Sequence, residues 1–284
     1  MSTAPPPVPT TTQAPQPEEV RVYQHSPLYY WWPVWLVAFI MGGMTYLDGG
    51  RAVIVPPGTE VVRNPVVQVK GPQGEGKIFE ARDVIILPKD ERLPTKAGTD
   101  QPEEPRLHMA RSKNLGVIFS ILLLLTILIT NVSVRGVWSI VVIVTIVLLV
   151  VLFALFDWWA TIAEWFYLLR IHINAAGYLF IGVVLFILWA VNFYVFDRRT
   201  YLIFTTGQLR VREAVGQGEK VFDTTNMVFH KQQNDFFRHW IWGLGAGDLE
   251  IITAKGERFE WHNVPFVGHK VRKIEDLIKT REVV

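Results

Sequence analysis

Cysteine is absent from this 284-residue chain. Disulfides, thiolate nucleophiles and cysteine-ligated zinc are therefore excluded. An excess of one charge sign is also missing. The chain has 28 Lys plus Arg against 26 Asp plus Glu, a net charge of +2, so no overall field points to nucleic acid. Formal charge disappears altogether from four long stretches: Leu28 to Leu47, Leu115 to Thr130, Val137 to Phe156 and Ala175 to Phe196.

Those stretches are apolar and close to the length, about 20 residues, that crosses a hydrocarbon core. They predict an integral membrane protein with four spans, at 28–48, 114–131, 137–157 and 175–196. The first run is too long for a signal-peptide core, and Thr45-Tyr46-Leu47-Asp48 is no small-residue cleavage site. Its aromatic start, Tyr29 to Trp32 with Trp35, suits an interfacial belt. The span cores hold no ionisable residue, which argues against a proton relay or ion path. Only Asn192 and small polar residues such as Ser120, Thr126, Ser139 and Thr145 interrupt them.

Residues 1–27 are rich in proline, threonine and glutamine and lack apolar periodicity, so they are expected to form a disordered tail. Residues 49–113 carry short alternating runs, AVIV, EVVRNPVVQVK and KIFEARDVIIL, separated by PPG, GPQGEG and LPKDERLP. They predict a small β-rich extramembrane insert, with 95–105 as an exposed loop. Residues 158–174 have helical period, with tryptophans on one side. They are expected either to prolong the third span or to lie along the interface.

After Asp197 the period changes from 3.6 to 2. TYLIFTT, QLRVREAV, EKVFDTT and NMVFHKQQN alternate as strands, as do DLEIITA and RFEWHNV. The chain ends on a stretch with apolar positions 266, 267, 271, 274, 277 and 278, one face of a helix. Between these elements lies GLGAGDLEII, residues 243–252. A phosphate-binding loop needs a strand before the glycines and a helix after them. Here a strand follows and no Lys-Ser/Thr pair is present, so the glycines are read as a turn.

This order of strands, glycine-rich turn, two strands and terminal helix resembles the bacterial pleckstrin-homology-like (PH-like) domains of membrane proteins. YLIFTTGQLRVR, MVFHKQQNDFFRHWIWGLGAGDLEIIT and KVRKIEDLI carry the resemblance. The expected fold is thus four membrane helices with a C-terminal PH-like β-barrel plus helix over 197–284. The resemblance implies a binding or assembly module rather than an enzyme, without cofactor. It also implies a bacterial cytoplasmic membrane with both termini cytoplasmic. Basic residues near span ends are tied between the two sides, so the positive-inside rule gives no orientation.

Three groups of residues are candidates for function. Arg198, Arg199, Arg210 and Arg212 cluster after the last span, where basic side chains attract anionic headgroups. Phe236, Phe237, Trp240 and Trp242 crowd seven positions around Arg238, the composition of interface centres. On a regular strand they cannot all point inward, so some are expected on the membrane interface or on a neighbouring subunit. His230, His239, His262 and His269 lack metal-ligand spacing and are read as scattered surface residues. The expected role is a scaffold or binding protein with membrane lipids and a homo-oligomer or larger membrane complex as partners. A component of a transport or channel assembly is the alternative.

Overall fold

The computed structural model describes residues 18–63, 67–70, 76–79, 83–93, 95, 98, 105–112, 114–132, 136–212 and 218–282. Most of the expected tail, 1–17, lies outside the described residues; the first described element is a strand, β1 (Val20–Tyr23). A 3-10 turn (Pro27–Trp31) then leads into α1 (Trp32–Leu47). Six short strands follow: β2 (Arg51–Ala52), β3 (Glu60–Val62), β4 (Val67–Lys70), β5 (Gly76–Phe79), β6 (Val84–Ile86) and β7 (Leu107–His108). The helices α2 (Asn114–Asn131), α3 (Val137–Leu155), α4 (Trp158–Leu168) and α5 (Ala175–Val191) come next. After α5 the helix continues as one π turn and one 3-10 turn to Arg199. The C-terminal region holds β8 (Tyr201–Phe204), β9 (Gln208–Arg212), β10 (Lys220–Asp223), β11 (Val228–Gln232), β12 (Gly247–Ile252), β13 (Arg258–Val264) and α6 (Val267–Glu282).

Among the described residues, three helices are long and apolar enough to cross a membrane: Asn114–Asn131, Val137–Leu155 and Ala175–Arg199. The first apolar run behaves differently. Its helix α1 has 16 residues, because Pro27 and the aromatic cluster open it as a tighter 3-10 turn. The stretch 158–174 is not a straight continuation of α3. Asp157 takes a left-handed conformation, φ 53°, and turns the chain so that Trp158 and Trp159 both pack on Phe153. The helical part ends at Leu168.

Small residues let α1 and α5 approach each other. A Cβ on Gly42 would lie 3.0 Å from Leu179, and one on Gly182 would lie 3.2 Å from the Phe39 ring. Phe119 of α2 meets Tyr178 of α5 edge-on, 5.3 Å between centroids. Val34, Ala38, Met41, Phe119 and Tyr178 form the buried centre of this bundle.

The helix ends sort into two levels. On one level Trp32 donates to the Trp242 carbonyl, Trp242 donates to Thr126 of α2, and Gly136, just before α3, donates to the Asn234 carbonyl. On the other level the amide of Arg111 reaches Asp48, Met109 bonds Gly50, and Met109 bridges Asn174. Successive long helices thus run in opposite directions. Among the described residues of 49–113 there are three separate antiparallel pairs, β2–β7, β3–β6 and β4–β5. Most of 95–105 lies outside the described residues.

The C-terminal region consists of two antiparallel sheets, β1-β8-β9-β10 and β11-β12-β13. Their inward residues and one face of α6 make a single core: Val22, Leu202, Phe204, Leu209, Val211, Leu249, Ile251, Trp261, Val264, Val267, Val271, Ile274 and Leu277. No closed barrel forms among the described residues, contrary to the expected barrel. β1 stops at Tyr23, and beyond it the gap to β13 is bridged by single bonds rather than a ladder: the amide of His25 donates to the His262 carbonyl at 3.1 Å.

The tail boundary at residue 27 is corrected by β1. Val20 and Val22 face the core opposite Phe204 and Leu202, so a strand that precedes α1 completes a sheet that resumes after α5.

Candidate functional site at the junction of helices and C-terminal region

The two feet of the helical insertion, 24–27 and 196–200, stand beside the end of β13. Here the structure gathers several of its buried polar groups. His25 Nδ1 lies 2.9 Å from Asp197 Oδ2, and both residues are buried. The Asn192 amide donates to Ser26 Oγ at 2.6 Å and to both Asp197 oxygens at 3.1 Å. The Ser26 amide supplies a further donor at 3.4 Å. The His25 ring lies flat against Phe193, with 4.7 Å between centroids and 3° between planes. Each Asp197 oxygen therefore accepts two hydrogen bonds, the condition under which a buried carboxylate is tolerated.

Asn263 is the second centre. It is 1 % exposed and holds φ 54°, a left-handed conformation that asparagine adopts more readily than most residues. Its amide N–H donates to Asp248 at 2.9 Å, and its side-chain Nδ2 donates to the His25 carbonyl at 2.7 Å. Its Oδ1 accepts from the Tyr30 hydroxyl at 3.0 Å and from Arg238 at 2.7 Å. The Arg238 guanidinium also lies over the Tyr30 ring, 5.2 Å from the centroid. A cleft of about 430 Å³ opens on this cluster, lined by His25, Ser26, Asp197, Arg238, His262 and Asn263 among others.

What this arrangement can do chemically follows from how its groups are used. The Nδ1 atom of His25 is engaged by Asp197. Ser26 Oγ accepts from Asn192 and from the Leu28 amide. Among the described residues no hydrogen bond links His25 to Ser26, so the two are not arranged as a base and its nucleophile. The bonds fix position: they tie the N-terminal strand, the start of α1, the end of α5 and β13 into one unit. Among the described residues no group of three His, Asp or Glu side chains gathers as a metal site.

The histidines are not uniformly scattered surface residues. His239 is 3 % exposed and lies 4.0 Å from Asp248, and His262 approaches the same carboxylate oxygen at 3.6 Å. His262 itself is half exposed. Strand alternation gave no sign of this shared carboxylate, because His239 is not on a strand.

Phe236–Trp242 is a π-helical segment. It is capped by Asp235, whose carboxylate accepts from the Arg238 amide at 3.0 Å. This corrects the strand geometry on which the expected exposure was based. Trp242 and Phe237 are turned toward the chain's own helices. Trp242 donates to Thr126 at 3.3 Å. Phe237 lines a groove with Leu125, Leu128 and Ile129 of α2 and Val142 and Ile146 of α3. Phe236 and Trp240 are exposed, at 43 % and 56 %. Three of the five polar residues singled out in the apolar runs are thus docking points for the C-terminal region: Asn192 on Ser26 and Asp197, Thr126 on Trp242, and Ser139 on the Phe236 amide, whereas Thr145 donates to the Val141 carbonyl of its own helix.

The four arginines are exposed. Arg198 covers the Tyr194 ring at 5.1 Å and Arg199 the Phe196 ring at 5.4 Å. Arg210 and Arg212 share the outward face of β9. Arg212 stands opposite Tyr201 and donates to its hydroxyl at 2.8 Å, and Arg210 faces Glu219 at 3.7 Å. Register brings Arg212 near the end of the last helix, while Arg210 lies two residues further away.

The three windows 243, 245 and 247 have separate structural reasons. Gly245 holds φ +88°. A Cβ on Gly243 would lie 2.7 Å from the Arg238 carbonyl oxygen, and one on Gly247 would lie 2.8 Å from Val267. A strand, β12, begins at Gly247, so no helix N-terminus faces the loop. Compared with protein-family models, curated proteins and solved structures, the chain matches none of them.

Proposed function

We propose that this chain is a non-enzymatic, four-span membrane scaffold or binding protein that acts through a PH-like domain. The observation that carries the reading is the pairing of β1 with β8, Val22 opposite Leu202. The chain leaves the C-terminal region after β1 and returns to it at β8. It must therefore cross the membrane an even number of times in between. Three intervening helices have spanning length and apolarity, and α1, packed along α5, supplies the fourth crossing. With its 3-10 turn, α1 reaches about 34 Å, enough for a hydrocarbon core of about 30 Å.

Seven strands in two antiparallel sheets, closed by one C-terminal helix, support the PH-like assignment. In this reading the domain is split: its first strand precedes the helices and its other six follow them. Such a design ties a soluble platform rigidly to a bundle, which suits assembly. The resemblance further assigns the domain and both termini to the cytoplasmic face of a bacterial inner membrane, with lipids and an oligomer or larger complex as partners.

The test is purification of the full chain from native membranes in mild detergent, followed by native mass measurement. An assembly larger than the 32.5 kDa monomer is expected. A strictly monomeric particle that conducts ions in proteoliposomes would replace this reading with transport.

A further inference from the structure

The segment Phe236–Trp242 divides its side chains in an unusual way for part of a water-facing domain. Its two charged or titratable members turn inward: Arg238 to Asn263 and Tyr30, and His239 into the interior. Its outward side chains are apolar. Phe236 is 43 % exposed, Trp240 56 %, Ile241 44 % and, just beyond, Leu244 56 %. A helix bathed in water would show the reverse.

Its depth is fixed by its contacts. Trp242 is hydrogen-bonded to Thr126, five residues before the end of α2 at Asn131. At 1.5 Å per residue this is about 7 to 8 Å below the helix end. Interfacial helices bury their apolar face about 5–10 Å into the headgroup and acyl boundary. The segment is also tied to the start of α3 by the Phe236 amide, which donates to Ser139 at 3.4 Å, and there Val137, Trp138 and Ile140 are open on a helix of spanning length.

We infer that Phe236, Trp240, Ile241 and Leu244 form a membrane-inserted anchor of the C-terminal region, and that the partner of this surface is the lipid leaflet it faces. The inference rests on the reading of α2 and α3 as membrane-crossing. A second copy of the chain fits less well. The four side chains expose on the order of 400 Å² together, against about 800 Å² per partner in a stable protein interface. The anchor deepens the scaffold reading by giving the domain a fixed tilt and height on the membrane, set by contacts on both of its sides.

The absence of cysteine makes the test direct. Single cysteines are placed in the full chain at Trp240, Ile241 and Leu244, with Leu148 in mid-α3 and Lys255 in the β12–β13 turn as references. Each is labelled with a nitroxide in lipid nanodiscs, and collision with oxygen is compared with collision with a water-soluble nickel chelate. The Leu244 label leaves Phe236–Trp242 intact, so it reports even if substitution at Trp240 disturbs folding. Labels at 240, 241 and 244 are expected to be oxygen-accessible and nickel-protected, as at 148. Nickel access equal to that at 255 would overturn the anchor. Protection from both reagents with spin–spin broadening would also overturn it, in favour of a second copy. Nickel access at 148 would overturn the membrane crossing itself, and the anchor with it.

Discussion

The side-chain amide of Asn263 donates to the backbone carbonyl of His25 at 2.7 Å, although 238 residues separate them in sequence. Asn263 is the penultimate residue of the last strand, and His25 stands just before the first helical turn. This one bond joins the two ends of the fold across the whole helical bundle. It is supported on one side by Asp248 and on the other by the His25–Asp197 pair.

Replacing Asn263 should therefore be costly. Asn263→Leu removes the partners of Tyr30, Arg238 and the His25 carbonyl at a buried site. Each unsatisfied group costs about 1–3 kcal/mol, so a loss of roughly 3 kcal/mol or more is expected in urea unfolding of the detergent-solubilised chain. Asn263→Gly keeps the left-handed backbone but loses the same bonds, and should fall slightly short of that loss. A change below about 1 kcal/mol in both variants would show that the junction is not held by this residue.

β1 makes a second prediction. Val22 is fully buried in the C-terminal core, so Val22→Ala should destabilise that core by on the order of 2 kcal/mol. Val22→Asp should expose it to protease at sites after Tyr201. Protection unchanged in both variants would mean that the N-terminal strand is dispensable and the split-domain reading is wrong.

The sequence carried the alternation of β8 to β13 and the apolar face of α6 because each is a local pattern with its own turn residues. RFEWHNV, for example, is the strand observed at 258–264. β1 was hidden for the opposite reason. VRVY does alternate, but it is four residues long, follows a proline-rich stretch and finds its partner about 180 residues later. The helical segment at 236–242 was obscured by its aromatics, which suit strands equally well. The available sign was Asp235, an N-cap residue with its acceptor aimed at the Arg238 amide. Asn192, Thr126 and Ser139 were visible as polar residues within the spans, but their partners are set by tertiary packing. His25, Asp197 and Asn263 carried no local signal.

Gly245 should tolerate little beyond glycine. Nothing lies within 4 Å of a Cβ built there, so the penalty is backbone strain alone. Gly245→Val is expected to cost about 1–3 kcal/mol, read as a lowered Tm. ATP or NAD should leave the Tm of the unsubstituted chain unchanged. A saturable shift would restore the phosphate-loop reading.

Lys270, on α6, has its pKa lowered by burial, which penalises the ammonium form. For a lysine, a folded pKa below the unfolded one means that protonation costs stability. That cost is fully present below the folded pKa and disappears as pH rises through it toward the unfolded value. Lys270→Met should therefore raise Tm at neutral pH, and its advantage should shrink in alkaline buffer. An advantage that is constant with pH would assign the effect to packing and not to charge.

The proposed even number of crossings gives the last prediction. Glu19, Lys255 and Thr95 are placed in the cysteine-free chain one at a time as cysteines and probed in intact cells and in lysed membranes with an impermeant thiol reagent. Glu19 precedes β1, and Lys255 lies in the turn between β12 and β13. If β1 pairs with β8, these two must label from the same side. Thr95, between the first two long helices, must label from the other side, because α1 then crosses. If Thr95 labels together with Glu19 and Lys255, α1 is not a span, and one of α2, α3 and α5 must also fail to cross. If Glu19 and Lys255 label from opposite sides, the β1–β8 pairing cannot exist in the membrane, and the split domain falls with it.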